Sequence, residues 1–261
     1  MFKFAKKTML RMLFGGLLCF SAFGCGQKSM AQQPIESIYD IAIEGIDGKP
    51  IDLAQYKGKK ILFVLPIAAI GGGGNVIIQE IKALRNMQID CFIANKLDFK
   101  EHFEIAYPKI EIPTIYFENN KDLSNHLDYF DVIIGTAFSS IEWIKKAIAI
   151  SKSDIITAYY IQDFEPYFFS ENSLLRSQAL DSYTIIPNIK CFTKTKWNKK
   201  EVLKHVGISS EVITPSVNID IFRPMIEKSF DGTISISAMI RPETPRRSPE
   251  TTMKLLQSIK L

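Results

Sequence analysis

Apolar positions along the chain alternate between two regimes. "KILFVLPIA", from Lys60, is continuously apolar apart from its first residue, the pattern of a strand covered on both faces. Gly71 to Gly74 break that run. Val76, Ile77, Glu80, Ile81 and Leu84 then recur at helical spacing. The alternation repeats downstream: "IDCFIA", "TIYFEN", "DVIIGTA", "DIITAYYIQDFEP" and "KCFTK" read as strands, with helical patterns around Ile141, Ile144 and Ile148, over Glu171–Leu180 and over Lys196–His205. Strands alternating with helices of about ten or more residues predict an α/β fold with a parallel, doubly wound sheet.

Both ends of this block differ in character. Tyr39, Ile41 and Ile43 alternate, and an Asp47-Gly48 turn follows, so a hairpin is predicted ahead of Lys60. After the block, "TPSVNIDIFRP" is turn-rich, "TISISAMI" reads as a strand and Thr251–Ile259 as a helix. One strand and one helix cannot bury a core alone. Four segments are therefore expected: a leader over 1–31, a hairpin segment over 32–59, an α/β domain over 60–225, and the opening of a second α/β domain over 226–261.

Charge changes the picture only at the start. The formal net charge is +4, yet residues 1–31 contain Lys3, Lys6, Lys7, Arg11 and Lys28 and no acid, so the remainder is close to neutral. A near-neutral body offers no general electrostatic footprint for nucleic acid. The leader itself, basic and then apolar from Met12 to Phe23, has the form of an export signal, with Ser29-Met30-Ala31 as a cleavage pattern and Cys25 as an alternative lipoprotein-type site. Export or membrane anchoring through this leader is expected. Of the four cysteines, Cys19 and Cys25 fall in the leader, while Cys91 and Cys191 sit in strand-like runs. With no Cys-x-x-Cys and no Cys/His cluster, no motif calls for a metal.

Three stretches could carry chemistry. The Gly71–Gly74 tetrad lies between a buried strand and a helix start, where backbone N–H groups and the helix dipole favour an anion or a closely approaching substrate; a plain connecting loop is the alternative. It fits neither the dinucleotide fingerprint nor a P-loop. In "YYIQDFEPYFFSENS", Asp163 and Glu165 stand at a strand's carboxyl end amid aromatics, suiting hydroxyl recognition, with ordinary core as the alternative. In "MIRPETPRRSPE", Arg241, Arg246 and Arg247 fall between a predicted strand and a helix, where guanidinium groups can grip a diphosphate.

Taken in order, "GGGGN", "YIQDFEPYFFSENS", "VNIDIFRP" and "IRPETPRR" resemble the family 4, GT-B-fold nucleotide-sugar glycosyltransferases, in particular their rhamnosyltransferase-like branch, from about Lys60 onward. The resemblance implies a Rossmann-type acceptor-side domain followed by a donor-side domain. It implies transfer of a sugar such as rhamnose from a nucleotide-diphosphate donor to a polysaccharide or lipid-linked acceptor, with no separate cofactor. It places the donor diphosphate at Arg241 and Arg246, with Arg247 as a neighbour, and the acceptor cleft at Gly71, Gly72, Gly73, Gly74, Asp163 and Glu165. No segment here matches the family's Glu-x7-Glu motif. Such chemistry would favour the cytoplasmic face of an inner membrane. Residues 35–64, "YDIAIEGIDGKPIDLAQYKGKKILFV" in particular, resemble instead the N-terminus of glutathione peroxidases. That implies a chimeric chain with a seam near Lys60–Leu65, or alternatively a peroxidase-like envelope protein; the alternative to an active glycosyltransferase is an inactive carbohydrate-binding remnant that uses only the acceptor half.

Overall fold

The structure, a computed structural model, describes Tyr39, Ile41, residues 43–44, 50–215, Val217, and residues 222–223, 236–244 and 247–259. The leader, the Asp47-Gly48 turn and Arg246 lie outside the described residues. The chain divides into two compact units, Met1–Val217 and Asn218–Leu261.

The first unit opens with a short antiparallel pair, β1 (Ile43–Glu44) and β2 (Pro50–Ile51), with Ile43 opposite Ile51. A 3-10 turn over Leu53–Tyr56 follows, capped by Asp52, whose Oδ1 accepts from the Ala54 N–H at 2.8 Å. Leu53 in that turn is buried in the main core.

Seven parallel strands form the body: β3 (Lys60–Val64), β4 (Asp90–Lys96), β5 (Thr114–Phe117), β6 (Val132–Gly135), β7 (Ile156–Ile161), β8 (Lys190–Thr193) and β9 (Glu211–Val212). Their spatial order is β5-β4-β3-β6-β7-β8-β9. The apolar runs are continuous because successive residues supply opposite faces. Ile61, Phe63 and Leu65 enter one core with Cys91, Ile93 and Tyr160, whereas Leu62 and Val64 enter the other with Ala94, Tyr159 and Ile161. Helix α1 (Gly72–Asn86) covers the first face with Ile77, Ile78, Ile81 and Leu84, joined by Phe103 of α2 (Lys100–Ala106). The second face is covered by Leu123 of α3 (Asn120–Ser124), by Ile141, Ile144 and Ala147 of α4 (Phe138–Ser151) and by Val202 of α6 (Lys196–Val206). Helix α5 (Leu174–Asp181) lies between them in sequence. Helices on both faces of a parallel sheet in this order make a doubly wound, Rossmann-type α/β domain.

Helix ends follow local chemistry. Ser173 caps α5 through a hydroxyl that accepts from the Arg176 N–H at 3.2 Å, so the helix starts three residues later than the apolar pattern over Glu171–Leu180 predicts. Thr195 caps α6 in the same way, accepting from the Asn198 N–H at 3.0 Å. The helix stops at Gly207, whose φ of 76° belongs to the left-handed region that a residue without Cβ enters at little cost.

In the second unit, α7 (Pro249–Ser258) matches the predicted helix. The strand predicted over "TISISAMI" does not form in its described part. Residues 236–240 carry no ladder, and most of them are exposed, so no neighbouring strand among the described residues meets their backbone groups.

Candidate functional site at the strand carboxyl ends

The chain reverses its direction of winding between β3 and β6, which pair from Ile61 opposite Val132 to Val64 opposite Gly135. In open α/β sheets the crevice beyond the carboxyl ends at such a point is where ligands bind. Three loops converge on it: one from β3 into α1, one from β6 into α4, and one leaving β7.

A belt of side-chain hydrogen bonds ties these loops together. Thr136 Oγ1 donates to the Val64 carbonyl at 2.8 Å, Gln162 Nε2 to the Thr136 carbonyl at 3.3 Å, and Asn198 Nδ2 to the Gln162 carbonyl at 3.0 Å. Asn95 Nδ2 holds the β3 loop through the Ile67 carbonyl at 2.8 Å. Asn95, Thr136 and Gln162 sit at or just past the end of a buried strand and Asn198 in the first turn of α6, where carbonyls that have left the ladder need a donor. Their sequence positions give only that weak signal, and no motif singles out Asn95, Thr136 or Asn198.

The glycine tetrad is not a loop. Gly71 is the N-cap of α1 and Gly72, Gly73 and Gly74 form its first turn. Gly74 is closely packed: a Cβ there would lie 2.3 Å from Ile67 Cδ1 and 2.9 Å from the Tyr107 hydroxyl, so both side-chain ends would have to shift. At Gly73 a Cβ would meet Gln162 Oε1 at 2.9 Å. The start of α1 thus comes against the end of β7, joining the glycine stretch to the "YIQDFEP" stretch at one end of the sheet. Gly71 and Gly72 face open space.

The two helix starts at the crevice differ in how they are satisfied. The α4 start is filled by protein groups: Ser140 Oγ accepts from the N–H groups of Thr136 and Ala137 at 2.9 and 3.1 Å, and Glu165 Oε2 accepts from the Phe138 N–H at 3.2 Å. The α1 start has no side-chain cap. The Tyr107 hydroxyl lies beside this start, donating to Asn75 Oδ1 at 2.9 Å and approached by the Gly71 backbone, while the positive end of the helix dipole still favours an oxygen-rich ligand there.

The two carboxylates of the aromatic stretch have different surroundings. Glu165 is buried, and its Oε1 accepts from the Tyr159 hydroxyl at 3.3 Å. Burial raises its carboxyl to about 7, against the lowering pull of the Phe138 N–H and the Tyr159 hydroxyl. It braces the α4 start from within. Asp163 is half-buried and accepts from its own neighbour, the Phe164 N–H, at 2.9 Å. A third buried carboxyl is not foreseen from the sequence: Glu80 on α1 lies beneath the site, with Oε1 accepting from the Tyr160 hydroxyl at 3.0 Å and Oε2 without a hydrogen-bond partner. Burial raises it to about 7 as well, partly countered by that hydroxyl and by Lys194. A glutamate at a buried position of the helical stripe is the signal that could have found it.

In the second unit, Arg241 and Arg247 are exposed and flank a turn in which the Thr244 N–H donates to the Arg241 carbonyl at 3.0 Å and the Arg247 N–H to the Thr244 carbonyl at 2.9 Å. Both cysteines of the body are buried, and burial pushes each thiol up to about 12, the reverse of an activated thiolate. Among the described residues no cluster of His, Cys, Asp and Glu is placed to hold a metal ion.

Comparison with known proteins gives a likeness of fold. No family model matches the sequence, and no curated protein matches it. Among solved structures, the HepE protein (Alr3699) of Anabaena in complex with UDP and glucose is 17% identical, with a TM-score of 0.50, covering 63% of this chain and 46% of that one. The same protein in complex with UDP-glucose is 17% identical with a TM-score of 0.50, covering 62% and 45%. The chain thus spans about half the length of the solved structures that it matches. The fold is α/β and GT-B-like, a Rossmann-type domain on a parallel sheet.

Proposed function

We propose that this chain carries the acceptor-side domain of a glycosyltransferase that uses a nucleotide-diphosphate sugar, such as a rhamnose donor, and a polysaccharide or lipid-linked acceptor. The observation that carries the reading is the contrast at the switch point: the α4 start is filled by Ser140 and Glu165, while the α1 start is built of glycines that carry no side chain of their own and have only the Tyr107 hydroxyl beside them. A turn without side chains lets a sugar or phosphate oxygen reach backbone N–H groups directly. The likeness to a fold solved with UDP and glucose supports the same reading.

In this reading Gly71–Gly74 and Asp163 line the cleft, and Glu165 is a positioning residue, since both its oxygens are engaged by Phe138 and Tyr159. Arg241, Arg246 and Arg247 neutralise the leaving diphosphate, whose negative charge grows as the glycosidic bond to it breaks. The buried, unactivated thiols argue against the peroxidase alternative.

Calorimetric titration of the full chain with UDP-glucose and with a nucleotide-diphosphate rhamnose tests this. Saturable donor binding that falls at least about tenfold in Arg241→Ala, as loss of a bidentate phosphate contact requires, supports the reading. Glycan binding with no donor binding would assign the chain to the carbohydrate-binding class instead.

A further inference from the structure

A second surface of the first unit, adjoining the loop that leaves β7, has an unusual composition. The 3-10 turn over Glu165–Phe168 is staked out from two sides. Arg176 Nη1 donates to the carbonyls of Pro166 and Phe169 at 3.2 and 3.3 Å, with the guanidinium 5.8 Å from the Tyr167 ring centre. From α6, Glu201 accepts from the Tyr167 hydroxyl at 2.6 Å, His205 Nε2 lies 3.0 Å from that hydroxyl, and the Trp197 ring stands 6.3 Å from the Tyr167 ring. The turn is held at several points, and while Pro166 is buried, Tyr167 and Phe168 face water. Leu174 is 72% exposed and Trp197 49%, and Tyr167, Phe168 and Leu175 are exposed as well.

The charge beside this patch is mainly positive, with Glu171 ahead of α5 and Glu201 on α6 as the acids. Residues 194–205, "KTKWNKKEVLKH", hold five lysines and one glutamate, and that glutamate is already engaged by Tyr167 and His205. Trp197, Lys200 and Lys204 recur along one side of α6, with Lys196 beside them, and all four are exposed. Protein interfaces are depleted in lysine, whereas a rim of lysines around aromatic and leucine side chains fits anionic headgroups above an acyl boundary. Indole and phenol rings favour that boundary, since one end is apolar and the other polar. We infer that this surface, built from the Glu165–Phe168 turn, the start of α5 and the outer side of α6, docks the protein on an anionic lipid bilayer. The docking is peripheral: among the described residues no helix is long and apolar enough to cross a membrane. It is separate from any contribution of the leader, and does not depend on the donor reading.

The test uses the full chain with vesicles of phosphatidylcholine alone and of phosphatidylcholine with phosphatidylglycerol. Trp197 is one of two tryptophans, and the other, Trp143, packs on Phe117. Expected is a blue shift of emission on the anionic vesicles, quenched by brominated acyl chains and absent in Trp197→Phe. Binding should weaken about tenfold or more in the Lys196→Glu, Lys200→Glu double variant, and fall with added salt. Emission that does not move, the result if residues 1–31 alone hold the membrane or if the surface faces another protein, overturns the inference. So does vesicle binding unchanged by the charge reversal, or equal on neutral lipid.

Discussion

Glu165 Oε2 accepts the backbone N–H of Phe138 at 3.2 Å, so a carboxylate leaving β7 closes the first turn of the helix that follows β6. Its other oxygen takes the Tyr159 hydroxyl, and the side chain is buried. This bond sets the α4 start relative to the crevice. Glu165→Ala should therefore cost about 1–3 kcal/mol in urea denaturation, because it leaves a helix N–H and a buried hydroxyl without acceptors. An unchanged midpoint would show that water replaces both bonds.

Stability should depend on pH through Glu80 and Glu165. Both carboxyls are raised in the fold, each to about 7, so the folded state binds more protons than the unfolded one between the ordinary glutamate value and about 7. The sign follows: their contribution is fully present below the unfolded pKa and is lost as pH rises towards 7. The melting temperature should fall over that window. In Glu80→Gln the slope should flatten, with a gain on the order of 1–2 kcal/mol above pH 7, since the amide keeps an oxygen for Tyr160 and carries no charge. A melting temperature that rises through the same window would contradict this.

The glycines of α1 should separate by position. At Gly74 an added Cβ meets Ile67 and Tyr107, so Gly74→Ala should lower stability by about 1–3 kcal/mol. Gly72 meets nothing within 4 Å, and Gly72→Ala should raise stability by up to about 1 kcal/mol through helix propensity. At Gly73 the obstacle is the end of the Gln162 side chain, which can turn aside, so a small change is expected there. Thermal or urea unfolding of the three variants orders them.

Thiol labelling should find Cys91 and Cys191 silent. Both are buried with thiols pushed up to about 12, so a Cys19→Ser, Cys25→Ser variant should take up label only in denaturant. Stoichiometric labelling of that folded variant would revive a thiol-based activity.

Much of the architecture is legible in the residues. The runs at Lys60, Asp90, Val132, Ile156 and Lys190 are strands because a parallel sheet covered on both faces needs apolar side chains at consecutive positions, a signal carried by composition alone. Helices α2 and α3 escape such a reading, since elements of seven and five residues hold too few turns to display a period. In its described part, residues 236–240, the strand expected at "TISISAMI" fails for the opposite reason: its residues suit a strand, but a strand also needs a neighbour.

Which segments are strands and long helices is legible along the chain, because each face's apolar demand is written locally. The glycine tetrad and the "YIQDFEP" stretch also stand out there as unusual. That these two meet, Gly73 against Gln162, and that Glu165 reaches Phe138 while Glu80 lies buried under Tyr160, follows only from the folded chain. Those relations are hydrogen bonds and close approaches between residues 27 and 80 positions apart in the last two cases, and no local pattern encodes a partner at that distance. The order of strands brings them together, and that order is set by how the whole sheet winds.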